Sequence, residues 1–303
     1  MEQSKMDVSS AFTEILLSRS LPLITDYELY LLLCRLYLKK EYKGVHLSLK
    51  RDFPDFQAFN RYTNILTSNG ILNAQIGFND VYRIRHIKRK LSPEEVLCHV
   101  DPFAYVSHLS AMEQYGLTDR SPKSLILTTP NPKLWKSLRL EKMDKDYRKL
   151  PIPEEERRPF QRITMPSSYL RRPISTTTTS ILGDFIKNKE SNVRITSIGQ
   201  TFLDMLRKPK LCGGMSHVLR VWEDHAEIYL DDVIGSINKF ETSNINKVRA
   251  GYIIEEVLGL QHPTVESWKD YASRGGSSKL DSSRDFEPTY SETWCLSLNC
   301  PSE

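Results

Sequence analysis

Residues 54–90, PDFQAFNRYTNILTSNGILNAQIGFNDVYRIRHIKRK, decide how the chain reads. Pro54 stands where a helix begins, and residues 55–69 separate cleanly on a helical wheel. Phe56, Phe59, Tyr62, Thr63 and Leu66 fall on one arc, while Gln57, Asn60, Arg61, Asn64 and Ser68 fall on the other. The first arc suits a core. The second presents amides and a guanidinium to whatever lies outside. Asn69-Gly70 closes the helix with residues that tolerate a left-handed cap. Residues 71–76 and 81–87 are β-prone runs on either side of Gly77-Phe78-Asn79-Asp80, which is a hairpin signal. The second run leaves through Arg83, Arg85, Lys88, Arg89 and Lys90.

Upstream, residues 25–40 carry Thr25 and Glu28 at capping-box spacing. Leu29, Leu32, Leu33, Leu36 and Tyr37 then mark one buried face, and Gly44 is expected to stop the element. Residues 8–18 predict a shorter helix with Ser9 or Ser10 as its cap, and a short piece around residues 47–51 follows the second helix. The order helix, helix, helix, hairpin is that of a winged helix-turn-helix. Amide and guanidinium groups on a third helix can pair with base edges in a major groove. Gln57, Asn60, Arg61, Asn64 and Ser68 are therefore the candidate readers of DNA, and Lys50, Arg51 and the five basic residues of the second run are the candidate phosphate contacts.

Charge agrees with this placement. The net charge of the whole chain is +4, but residues 1–91 hold fourteen Lys and Arg against nine Asp and Glu, leaving −1 for the remainder. A basic segment on a near-neutral protein suits a polyanion partner for that segment. The first ten residues lack the apolar core of a secretory signal. Residues 29–38, the most apolar stretch, contain Arg35 and are too short to span a bilayer. A cytoplasmic protein without a membrane partner is expected. The five cysteines are scattered, with no CxxC and no HExxH, so no metal or disulfide framework is expected.

Downstream, Ser92-Pro93-Glu94-Glu95 is a helix start, and the domain boundary is placed near residue 91. Residues 104–115 are expected to be helical up to Gly116, residues 124–129 to form a buried strand, and residues 131–138 a short helix. Five prolines and a Ser/Thr tract make residues 139–180 an expected irregular arm, with an edge strand near residues 162–165. Residues 181–189 are expected to be helical. Residues 194–197 form a strand end capping a helix over residues 198–207, and helices follow over 216–229, 230–240 and 246–258. A Gly/Ser turn at residues 274–278 and a final strand at 293–298 complete the chain. The fold class is α+β, mostly helical: an N-terminal winged helix over residues 1–91 and a larger α/β domain over residues 92–303.

No GxGxxG, Walker A or GxSxG sequence is present, and no cofactor is expected. Ser107, His108 and Asp119 could be arranged as a triad, but neighbouring positions on one helix do not face each other. A non-enzymatic protein is the reading the residues favour. Tyr105, Tyr115, Trp222, Tyr229 and Tyr252 read as core aromatics at helical spacing.

Three segments carry a resemblance: residues 101–120, DPFAYVSHLSAMEQYGLTDR; residues 196–214, TSIGQTFLDMLRKPKLCGG; and residues 247–258, KVRAGYIIEEVL. The first is similar to the aromatic Ser-His-Leu-Ser-Ala helix and Gly-Leu-Thr-Asp-Arg turn of the abortive-infection AbiEi antitoxin family. The second resembles that family's Thr-Ser and Leu-Asp-Met-Leu segment, and the third its Gly-Tyr helix. Residues 274–281, with Trp294 and Asn299, resemble its closing strand. Gln114-Tyr115 departs from a histidine before the glycine, and Gly199-Gln200 from a Glu-Arg pair.

The resemblance covers most of the chain. It implies a transcriptional autorepressor and antitoxin of a type IV toxin–antitoxin operon, acting in anti-phage defence. Its partners would be the operator DNA of its own operon and a cognate nucleotidyltransferase toxin. The motif residues are Ser107, His108, Ser110, Gly116, Asp119, Arg120, Asp204 and Arg249. On physical grounds Ser107, Ser110 and Thr118 read as caps or backbone partners, Asp119-Arg120 as an internal ion pair and Gly116 as a C-cap. Two other readings stay open. One is an interaction subunit of a phage-defence complex whose winged helix docks protein; the other is a nuclease with a DNA-binding arm.

Overall fold

The computed structural model describes residues 5–273 and 278–300. In chain order the first elements are α1 (Val8–Leu17), β1 (Leu23–Thr25), α2 (Asp26–Lys39), β2 (Glu41–Tyr42), β3 (Val45–His46), α3 (Phe56–Ser68), β4 (Leu72–Ala74), β5 (Val81–Ile84) and α4 (Pro93–Val100). Next come β6 (Tyr105–Val106), α5 (His108–Gln114), β7 (Leu125–Pro130), α6 (Pro132–Tyr147), β8 (Ser168–Tyr169), β9 (Arg172–Thr179), β10 (Phe185–Lys187) and β11 (Arg194–Thr196). The chain continues through α7 (Ile198–Arg207), α8 (Met215–His225), α9 (Leu230–Phe240), α10 (Asn244–Tyr252), a π turn (Ile253–Val257), α11 (Pro263–Ser267), β12 (Tyr290–Ser291) and β13 (Leu296–Ser297). The fold is α+β. It divides into two units: Met1–Phe103 with Asn131–Arg171, and Ala104–Pro130 with Arg172–Glu303.

The first unit is a winged helix with an added arm. Thr25 caps α2 through the complete capping box with Glu28. β1 pairs antiparallel with β5, and β5 with β4, closing a three-stranded sheet. Ala11, Phe12 and Leu16 of α1, Leu29, Leu33 and Leu36 of α2, and Phe59, Tyr62 and Leu66 of α3 share one buried cluster. Among the smaller differences from expectation, Asp7 rather than a serine caps α1. Lys40, at φ 55, ends α2, and Gly44 turns the β2–β3 hairpin.

The division of the chain differs from a single boundary near residue 91. Residues 131–171 belong with the winged helix because their apolar side chains complete its core. Trp135, Tyr147, Leu150, Ile152 and Phe160 are all buried there. Polar contacts lock the same packing: Tyr30 donates to the Glu156 carbonyl at 2.6 Å and Tyr147 to the Arg158 carbonyl at 3.0 Å. Arg158 pairs with buried Asp26 and lies 4.8 Å from the Phe59 ring. Counted over this unit, 25 Lys and Arg stand against 18 Asp and Glu, a net +7 that leaves −3 for the rest of the chain. α6 runs well past residue 138. Its Leu, Lys, Arg, Glu and Met residues are good helix formers and sustain it by propensity with little apolar periodicity.

The second unit carries a sheet whose strands run β10-β11-β6-β7-β9, with β7 parallel to β9 and β11 parallel to β6. Several expectations are corrected here. Residues 105 and 106 form a strand, and the helix begins only at His108. The Ser/Thr tract is not a loop: it makes most of β9, where β-branched Thr176 to Thr179 suit a pleated surface. Residues 162–165 are irregular rather than a strand, and the expected helix over residues 181–189 contains β10, which pairs antiparallel with β11. The helices behind the sheet bury Phe202, Trp222, Trp268 and Trp294 in a separate core. The final strand is reduced to β13. The expected Gly/Ser turn and the start of the closing-strand resemblance fall largely on residues 274–277, outside the described residues. Among the described residues, no helix is long and apolar enough to cross a membrane.

Candidate nucleic-acid interface

Asp55 caps α3 by accepting from the Ala58 backbone N–H at 2.7 Å. Phe59, Tyr62, Thr63 and Leu66 then point into the core, and this fixes the rotation of the helix. As a consequence Gln57, Asn60, Arg61, Asn64 and Ser68 are exposed along one stripe, at the i, i+3, i+4 spacing of a single helical face. The Arg61 guanidinium lies 4.9 Å from the Tyr62 ring centroid, an attraction that restrains the arginine beside the stripe. Phe56, expected in the core, is instead partly exposed and stacks on Tyr30 with ring centroids 6.1 Å apart.

The basic residues divide into two groups. Lys50, Arg85, Lys88 and Lys90 are exposed. Arg51 is also exposed but pairs with Asp55, the cap of α3. Arg83 and Arg89, expected among the phosphate contacts, are engaged inside the unit. Arg83 is half-buried and donates to the Arg89 carbonyl at 2.9 Å, and Arg89 pairs with Glu95 of α4. Both join the wing to the following helix, so the free charge beside the wing rests on Arg85, Lys88 and Lys90.

The wing is braced by a residue that the sequence did not single out. Gln75, just after β4, is buried and donates from Nε2 to the Tyr169 hydroxyl at 2.9 Å. Phe78, also buried, packs on the Tyr169 ring at 5.5 Å between centroids. Between them Ile76 is 88% exposed at the tip of the hairpin. Tyr169 lies 94 positions from Gln75, and no local pattern could have linked them.

The motif residues of the second unit lie away from this interface in the sequence and occupy several structural roles. Ser107, expected as a cap or a backbone partner, makes no side-chain cap bond. Its Oγ lies 2.8 Å from Thr128 Oγ1 and 2.8 Å from His108 Nδ1. The expectation that Ser107 and His108 cannot meet is thus corrected: Ser107 precedes the helix in extended conformation, and His108 has φ 54, so the two side chains converge. Asp119 is exposed and is not brought to this pair. Ser110 Oγ accepts from the Ile126 N–H at 2.9 Å, and Gly116, at φ 67, follows the C-cap. Arg120 donates to the Gly213 carbonyl at 3.1 Å, in place of the expected pairing with Asp119. Arg249 is buried, donating to the Lys279 carbonyl and to Asn246 Oδ1.

Asp204 is buried as well. Its Oδ1 accepts from Gln200 Nε2 at 2.9 Å, while Oδ2 has no partner. Burial raises its pKa to about 6. Burial, reinforced by Lys208 and Arg207, holds the His108 imidazole down at about 3 and therefore neutral.

No family model and no curated protein matches the chain. Among solved structures, the RV2827C protein from Mycobacterium tuberculosis is similar at 10% identity and a TM-score of 0.47, over 97% of this chain and 92% of that one.

Proposed function

We propose that this protein is a sequence-reading DNA-binding regulator. In this reading α3 lies in the major groove, and Arg85, Lys88 and Lys90 hold the backbone beside the wing. The exposed stripe of α3 carries the proposal: a guanidinium, three amides and a hydroxyl, on a helix whose opposite face is anchored in the core. These are the groups that pair with base edges, and a recognition helix of this kind contacts bases in a winged helix-turn-helix. The net +7 of the unit supplies the attraction for phosphates.

Following the sequence resemblance, the DNA is the operator of the protein's own operon. The second unit counters a nucleotidyltransferase toxin encoded beside it. A gel shift on the DNA upstream of the gene, with an Asn60→Ala, Arg61→Ala, Asn64→Ala triple variant alongside, tests the DNA reading. A retarded band from the wild type alone is expected. No band with either protein would favour the protein-docking reading. Growth rescue of a toxin expressed from an unrelated promoter tests the antitoxin role, because operator binding cannot act there.

A further inference from the structure

A polar cavity of 250 Å³ lies within the second unit, and neither the winged helix nor its proposed DNA contacts use it. It opens where the parallel strands β7 and β9 end, at Thr128 and at Thr178 to Ser180. Tyr105 and His108 close one wall, while Asp204, Arg207 and Lys208 reach in from α7 and the residue after it. Glu241 faces the cavity too, but the Arg207 guanidinium holds it at 2.8 Å and also donates to the Phe240 carbonyl.

Two features set this cavity apart from an ordinary surface dent. The first is the Asp204 carboxylate, 7% exposed, whose Oδ2 lacks any partner although Oδ1 is satisfied. A buried acceptor left open is costly, so its presence beside a cavity points to a donor supplied from outside. The second is His108 in the left-handed region, a conformation unfavourable for a side-chain-bearing residue, held there by packing and by its Nδ1 contact with Ser107. With Nδ1 engaged, Nε2 is the ring nitrogen left for a ligand.

The lining defines the ligand. Lys208 Nζ stands at the end of β9, near Thr177 Oγ1 and the Thr178 carbonyl. It is the positive charge that Glu241 does not neutralise. Four residues before it on α7, the Asp204 carboxylate lines the same space with one oxygen lacking a donor, and Thr128, Thr178, Thr179 and Ser180 also line it. The volume is below the roughly 300 Å³ at which sites for drug-sized molecules begin. We infer that this cavity binds a small phosphorylated sugar, free or as the ribose phosphate of a mononucleotide, with the phosphate on Lys208 and a sugar hydroxyl on Asp204.

Isothermal titration of the full-length protein with ribose 5-phosphate, inorganic phosphate and adenosine and cytidine monophosphates tests this. One-to-one binding of ribose 5-phosphate is expected. Lys208→Gln should weaken every probe by about tenfold or more, as loss of a charge-assisted contact does. Asp204→Asn should weaken ribose 5-phosphate and leave inorganic phosphate within about twofold, because only the sugar carries hydroxyls to donate to the carboxylate. Tighter binding of the mononucleotides would assign the sugar phosphate to a nucleotide. Equal binding would assign it to a free sugar phosphate. The inference is overturned if no probe binds at up to about 10 mM, a range that detects affinities near 1 mM. It is equally overturned if both variants, shown folded by a cooperative melt, bind as the wild type does.

Discussion

Replacing Asp204 with Asn removes a buried carboxyl whose proton affinity differs between the folded and unfolded chain. Burial raises the folded-state pKa from 3.8 to about 6, against weaker opposing effects of Gln200, Arg207 and Lys208. Between those values the folded state binds more protons than the unfolded state, so this group makes stability fall as pH rises. Its favourable contribution is whole below 3.8 and lost above 6. The shift of about two units corresponds to about 3 kcal/mol at roughly 1.4 kcal/mol per unit.

Asparagine does not titrate, and its carbonyl can still accept from Gln200. The stability of Asp204→Asn relative to wild type should therefore rise by about 2.5 kcal/mol between pH 4 and pH 7, while the other carboxylates cancel in the difference. Urea unfolding in phosphate-free buffers, followed by tryptophan emission, measures this. Trp222, Trp268 and Trp294 are all buried in the core of this unit. A difference that stays flat from pH 4 to pH 7 would refute the assignment of Asp204 as a strained, open carboxyl.

Other consequences follow from the packing. Tyr169→Phe removes the hydroxyl that accepts from buried Gln75, so it should cost about 1 kcal/mol and lower DNA affinity by loosening the wing, measured by thermal melting and anisotropy. Gly251→Ala would place a Cβ 2.1 Å from the Trp294 ring, and a loss of more than about 3 kcal/mol or failure to fold is expected in a denaturant melt. Lys88→Ala with Lys90→Ala should reduce the slope of log affinity against log salt by about two, whereas Arg89→Ala should act on stability through its lost pairing with Glu95.

The elements legible in the sequence were those whose information is local. The capping box at Thr25, the helix start at Ser92, the two faces of α3 and the β4–β5 hairpin all rest on spacings of a few residues. What was missed depends on distant partners. β6 is two residues long and is defined by its neighbours in the sheet. β9 hides among prolines and looks like a polar loop until β7 pairs with it. The arm reads as irregular because Trp135, Tyr147 and Phe160 are widely spaced, and only the finished core explains them. At the interface, the exposed stripe was readable from period alone. The internal use of Arg83 and Arg89 was not, because each finds its partner only when the wing meets α4. The polar cavity has no local signature, since Tyr105 and His108 meet Asp204 and Lys208 from about a hundred residues away.

If α3 reads sequence while the flanking cations hold phosphates, specificity and affinity must separate. Anisotropy at fixed salt gives the ratio of affinities for the upstream DNA and for a scrambled duplex, in wild type and in the Asn60→Ala, Arg61→Ala, Asn64→Ala variant. A wild-type ratio of about a thousandfold or more is expected, collapsing toward one in the variant, with scrambled-duplex affinity falling by only about tenfold. A variant that keeps the wild-type ratio, or a wild type that shows no preference at all, would contradict that role of α3.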